Sequence, residues 1–200
     1  MTTFLLVRHG ETDAIGKFLA GSKAGCHLNQ NGRWQAQRLA HTLSPFTVNA
    51  VYTSPLERAV ETAEFLAAPH GLVPQVRDDL REFAFGEWEG LSFSQLEENP
   101  EWRRFNAHRS LVRAPGGELM TETQARMVGA IEDLSSRHDG EITAIVSHCD
   151  PLRSAIAYYL GAALDLFLRF EISPASVTVV RMYETGPSIR CINQTEHIPL

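Results

Sequence analysis

The chain has 200 residues, 44% hydrophobic and 21% charged, a balance that fits one soluble globular domain and excludes disordered and fibrous architectures. A formal net charge of −6 argues against a protein that grips nucleic acid by releasing phosphate counterions, and against one that lies on an anionic membrane surface. Three cysteines, Cys26, Cys149 and Cys191, are odd in number and lack C-x-x-C spacing, which speaks against a disulfide framework or a zinc site and fits a reducing cytoplasm.

In chain order, Phe4 to Val7 is the first expected strand, a continuous apolar run that is too short for a signal segment or a membrane span. Residues 34–43 follow as a helix, with Ala36, Leu39, Ala40 and Leu43 on one face. Val48 to Thr53 is a second buried strand, and residues 55–67 a second helix with Leu56, Ala59, Val60, Ala63 and Leu66 inward. Residues 83–118 break the pattern: rich in aromatics, Glu and Arg, and ending in Ala114-Pro115-Gly116-Gly117, they read as a small cap over a cleft. A helix over 122–138, a strand over Ile142 to Ser147, a helix over 152–160 and a strand over Val177 to Val180 complete the series. Strands alternating with amphipathic helices predict a three-layer α/β/α fold with a mostly parallel central sheet, in one domain covering residues 1–200 with a small helical cap excursion.

Open α/β sheets bind ligands at the carboxyl ends of their strands, so the residues that follow each strand carry the functional signal. The first strand runs into Arg8-His9-Gly10-Glu11-Thr12, the second into Ser54-Pro55-Leu56-Glu57-Arg58, and the third into Ser147-His148-Cys149-Asp150-Pro151. Ser54 suits an N-cap, with Pro55 at the first helical position and Glu57 closing a capping box, and Asp150-Pro151 repeats that start. Two arginines and two histidines then converge in an acidic protein, which calls for an anion such as phosphate. Taken singly, an arginine after a strand is a surface charge and a histidine near a helix start is a structural residue; the four together point to a site.

The order of further motifs carries a resemblance. Leu6-Val7-Arg8-His9-Gly10-Glu11-Thr12 resembles the signature of the histidine phosphatase superfamily, in its phosphoglycerate-mutase-like branch. Leu28 to Gly32 with Gln35-Ala36, Tyr52 to Ala59, Leu80 to Gly90, Pro115 to Glu118 and Val146 to His148 are similar, in that order, to later family segments. The resemblance implies phosphoryl transfer to His9 as nucleophile, with Arg8, Arg58 and His148 holding the phosphoryl oxygens and Glu82 protonating the leaving oxygen. Thr12 and Cys149 join Arg8, Arg58 and His148 as implied substrate-binding residues. Glu87 and Glu89 lie close enough to compete with Glu82, but the spacing within the matched motif favours Glu82. No metal and no cofactor are implied, because the arginines supply the neutralising charge.

The expected activity is a metal-independent phosphomonoesterase acting on a small phosphorylated metabolite in the cytoplasm, without nucleic-acid or membrane partners. The alternatives are a phosphomutase and, from another class, a non-catalytic phospholigand-binding module, which should have lost His9 or Glu82. Residues 83–147 leave no room for the long insertion of glycolytic mutases. Arg103, Arg104, Arg109 and Arg113 either grip a polyanionic substrate or form a solvated face paired with Glu97, Glu98 and Glu101. Two departures stand out: Asp13-Ala14-Ile15-Gly16-Lys17 replaces a Trp-Asn pair found in many members, and Cys149 replaces the usual glycine after the second histidine.

Overall fold

A computed structural model describes residues 1–196 and 198–200. The first apolar run forms β1 (Thr2–Arg8), followed by α1 (Gln30–Leu43), β2 (Val48–Thr53), α2 (Glu57–Ala67) and the short β3 (Gln75–Val76). Two short helices, α3 (Phe93–Glu98) and α4 (Pro100–Ala107), lead to α5 (Met120–Arg137), β4 (Ile142–Ser147), α6 (Cys149–Tyr159), β5 (Val177–Tyr183) and β6 (Gly186–Gln194). The strands form one sheet in the order β3-β2-β4-β1-β5-β6. β1, β2, β3 and β4 pair in parallel, whereas β5 and β6 add antiparallel at one edge.

Alternation along β1 sends Phe4 and Leu6 to one face and Leu5 and Val7 to the other. Phe4 and Leu6 pack with Met127, Ile131 and Leu134 of α5 and Leu152 and Ile156 of α6. Leu5 and Val7 pack with Leu39 and Leu43 of α1 and Ala63 and Leu66 of α2. Helices therefore cover both faces, as the mostly parallel pattern requires. The excursion over residues 83–118 builds its own small core, in which Phe83, Phe85, Trp88, Leu96 and Phe105 are all buried.

The sequence pattern missed β3 and β6. β3 is two residues long, below any periodic signal, and β6 is an edge strand of half-buried residues interrupted by Pro187 and Arg190. Two helix starts also differ from expectation. α2 begins at Glu57 with Leu56 in the cap position, so Ser54 does not cap it; the Ser54 hydroxyl accepts the Leu56 N–H at 3.3 Å and bonds the ring of His148 instead. α6 begins at Cys149, two residues before Pro151, with His148 in the cap position, and the Asp150 carboxylate accepts from Arg109 instead of capping the helix.

The parallel register sets the strand ends level. Arg8 on β1 lies opposite Ser147 on β4, while Thr53 on β2 lies opposite Val146. The turns that leave these neighbouring strands therefore begin side by side. Gly10 is fixed by close approach rather than by a turn: a Cβ there would stand 2.6 Å from the Gly32 carbonyl oxygen at the start of α1. Gly10→Ala should cost about 1–3 kcal/mol by overpacking. Urea unfolding checks this, and an unchanged midpoint would show that the loop can move off α1 freely.

Candidate active site

Arg8, His9, Thr12, Arg58, Glu82 and Cys149 line one cavity of about 280 Å³. His148, fully buried, lies behind His9 with its ring centroid 5.1 Å away. The two histidines and two arginines expected from the strand ends thus meet in space.

The His9 ring is oriented by its own turn. Nδ1 lies 2.7 Å from the Gly10 carbonyl oxygen, which only accepts, so in the neutral ring Nδ1 carries the proton and Nε2 keeps its lone pair. Burial, then the charges of Arg58 and Arg8, push the His9 pKa well below the ordinary imidazole range. The His148 pKa falls for the same leading reason, burial, followed by Arg58, His9, Arg126 and Arg8. Both imidazoles are therefore neutral at pH 7. His148 Nε2 and the Ser54 hydroxyl are 2.7 Å apart.

Each arginine is tied at one N–H and unmatched at another. Arg8 donates from Nη1 to the Ile172 carbonyl at 2.5 Å, and Arg58 from Nη2 to the Gly21 carbonyl at 2.7 Å. Arg8 Nε, Arg58 Nη1 and His148 Nδ1 are buried without a hydrogen-bond partner among the described residues. Three unmatched buried nitrogens in a site with a neutral imidazole suit an acceptor of several oxygens, since leaving such groups unpaired costs about 1–3 kcal/mol each.

Glu82 sits on the loop that enters the cap. Its carboxyl accepts the Phe83 N–H at 2.9 Å, and desolvation, then the charge of Asp150, pushes its pKa up to about 7 against the opposing pull of Arg58. Arg126 on α5 holds this loop by donating to the carbonyls of Asp79, Arg81 and Glu82 and to the Glu118 carboxylate. Glu118 in turn accepts the Ala84 N–H at 2.8 Å, which gives the Pro115-Gly116-Gly117-Glu118 stretch its local role. Of the competing carboxylates, Glu87 is exposed, and Glu89 accepts from Ser22 and from the Phe85 N–H. Burial pushes the Cys149 thiol up to about 11, so it is protonated at neutral pH.

The cap arginines divide. Arg113 pairs with Glu122 on the surface and Arg103 donates to the Glu97 carbonyl, but Arg109 is buried, lines the cavity and meets Asp150 at 2.7 Å. Its guanidinium lies 4.1 Å from the Phe105 ring centre. Sequence reasoning left Arg109 open between a substrate-gripping and a solvated role, and missed Asp150 and Arg153 as cavity residues; a carboxylate at the start of a helix reads as a cap, so residue order carried no signal that Asp150 would instead meet Arg109. Lys17 is exposed and stands outside the cavity wall.

A mostly parallel sheet that gathers two arginines and two histidines at its strand ends defines an anion-handling α/β protein. Residues 4–195 match the histidine phosphatase superfamily (branch 1), and the chain belongs to that family. It is 31% identical over 202 residues to phosphoserine phosphatase 1 of Hydrogenobacter thermophilus, with 99% of this chain and 95% of that protein covered. A bifunctional protein of Mycobacterium tuberculosis is 31% identical over 200 residues covering 98% of this chain, but the chain spans 55% of the length of that relative. The solved structure of YhfR from Bacillus stearothermophilus superposes with a TM-score of 0.89 at 28% identity, covering 95% of this chain and 96% of that one.

The Arg109 to Asp150 pair yields a stability prediction. Arg109→Met leaves a buried carboxylate uncompensated and should cost about 3–5 kcal/mol, most of it recovered in Arg109→Met/Asp150→Leu. Denaturant unfolding of the three proteins decides. A double variant no more stable than Arg109→Met alone would locate the loss in the stacking over Phe105.

Proposed function

We propose that the protein is a phosphomonoesterase that hydrolyses a small phosphorylated substrate through a phosphohistidine at His9. The observation that carries this reading is the orientation of His9: with Nδ1 bonded to the Gly10 carbonyl, Nε2 keeps its lone pair in a cavity lined by Arg8 and Arg58, each of which has a buried N–H without a partner among the described residues. Similarity to a phosphoserine phosphatase over nearly the whole chain supports the same reaction class.

In the first step Nε2 attacks phosphorus, the bond from phosphorus to the alcohol oxygen breaks, and protonated Glu82 gives its proton to the departing oxygen. Arg8 and Arg58 balance the charge spread over the three phosphoryl oxygens, with His148 donating from Nδ1 while Ser54 donates to its Nε2. In the second step the Glu82 carboxylate takes a proton from water as that water attacks phosphorus. The bond to His9 breaks, inorganic phosphate leaves, and Glu82 is again protonated. The two arginines supply the positive charge, so neither step calls on a metal. A thiol held protonated makes Cys149 a wall of the site in this scheme, and Thr12 is another.

Rapid quenching with a labelled phosphomonoester should trap an acid-labile, alkali-stable adduct on His9, and His9→Ala should lose roughly 10³-fold or more in turnover. A label on Cys149, or near-normal turnover by His9→Ala, would overturn the assignment.

Glu82 gives a pH signature whose sign follows from its raised pKa. The acid form needed in the first step prevails below about pH 7. His9, its pKa held well below the ordinary imidazole range, is already neutral there. First-step rates on an alkyl phosphate should therefore fall as pH rises through about 7. Glu82→Gln should remove this decline and lower the rate about 10²–10⁴-fold, with far less effect on p-nitrophenyl phosphate, whose leaving group departs without a proton. Single-turnover measurements separate this step from dephosphorylation. Equal losses on both substrates would assign the proton to another group.

A further inference from the structure

The solvent-facing wall of the cavity is apolar. Ile15 and Phe18 on the loop after β1, and Leu168 on the 3-10 segment Leu164–Arg169, leave 38–39% of their surface exposed and line the same cavity. Phe93 at the start of α3 and Trp102 on α4 line it as well. Single exposed hydrophobic residues are ordinary in any protein, but large apolar side chains from four separate segments gathered on one cavity form a surface shaped for an apolar ligand.

The wall is also held in place. The loop after β1 is bonded to the cap backbone: the Leu19 N–H donates to the Leu91 carbonyl at 2.9 Å, the Gly90 N–H to the Leu19 carbonyl at 2.7 Å, and the Phe93 N–H to the Lys17 carbonyl at 3.2 Å. Trp102 packs edge-on against Trp88 with ring centroids 5.3 Å apart and beside Phe105 at 5.7 Å. A preformed apolar wall binds without the cost of ordering it.

The charged groups beyond the phosphoryl site are largely committed to one another. Arg109 is bonded to Asp150 and Asn106, and Arg153 reaches Glu171 at 3.1 Å. One buried donor, Arg153 Nε, has no partner among the described residues. A zwitterionic head group would need both a free cation and a free anion here, and would have to break these pairs to find them.

We propose that the alcohol released from the substrate has an apolar or aromatic body, with at most one hydrogen-bond acceptor directed to Arg153, rather than the charged head of an amino acid. This rests on the phosphomonoesterase reading above and names the substrate class for the same site.

The test compares kcat/KM for ethyl phosphate, 2-phenylethyl phosphate and O-phosphoserine. Ethyl and 2-phenylethyl phosphate both release a primary alkanol and make similar demands on Glu82, so their ratio reports binding of the phenyl group. 2-Phenylethyl phosphate should exceed each of the other two by roughly tenfold or more. Ile15→Asp and, separately, Phe18→Ser, both at exposed loop positions, should lower the ratio of 2-phenylethyl to ethyl phosphate by several fold. Phosphoserine turned over best, or a ratio unmoved by both substitutions, would overturn the inference while leaving the phosphomonoesterase reading intact. Release of phosphate from none of the three esters would overturn both.

Discussion

Two guanidinium groups, Arg8 and Arg58, must be held close to each other and to two imidazoles in a partly desolvated cavity, where like charges repel more strongly than in water. The chain meets this constraint with backbone carbonyls. Ile172 and Gly21, from loops far apart in sequence, each accept one arginine N–H, while both histidines stay uncharged. What remains is a set of unmatched donors suited to an acceptor of several oxygens. The loops that supply the carbonyls must therefore be pinned, and they are. Glu11 accepts from Asn29 and Asn31 at the start of α1, and the Ala175 N–H donates to the carbonyls of both Arg8 and His9. Ala175 adopts a left-handed backbone with φ of 54°, a conformation that costs free energy in a residue with a Cβ and occurs here directly against the site.

The cap sets the surroundings of Glu82, whose pKa burial pushes up to about 7. Phe83 and Phe85 on the Glu82 loop are buried in an aromatic core with Trp88 and Phe105, their own ring centroids 4.6 Å apart. Arg126 grips the same loop from α5, and Arg109 fastens the cap to the first turn of α6 through Asp150. Asp150 also helps to raise the Glu82 pKa, so the pair that anchors the cap acts on the group the cap delivers.

The two departures from the family pattern have structural consequences. Where many members carry Trp-Asn, Ala14 is buried and Ile15 contributes to an apolar wall, while Lys17 is exposed and does not line the cavity. Cys149 opens α6 in ordinary helical conformation, so the position tolerates a side chain; its Sγ lies 3.8 Å from the same Ile172 carbonyl that anchors Arg8.

The sequence by itself determined the alternating strands and helices, because burial on both sheet faces demands continuous apolar runs and helix stripes that read directly from residue order. It also marked Arg8, His9, Arg58 and His148, since chemistry at strand ends is compressed into short local motifs. The matched motif also favoured Glu82 over Glu87 and Glu89, but only the tertiary structure gives the physical difference: Glu82 lines the cavity, whereas Glu87 is exposed and Glu89 is taken up by Ser22 and the Phe85 N–H. The same holds for Ser54 and Asp150, whose residue types suited helix caps equally well: a histidine at the end of the neighbouring strand and an arginine in the cap claimed their side chains. β6 and the apolar wall were likewise beyond residue order, because an edge strand has no repeating pattern, and a wall built from separate segments exists only once the chain has brought them together.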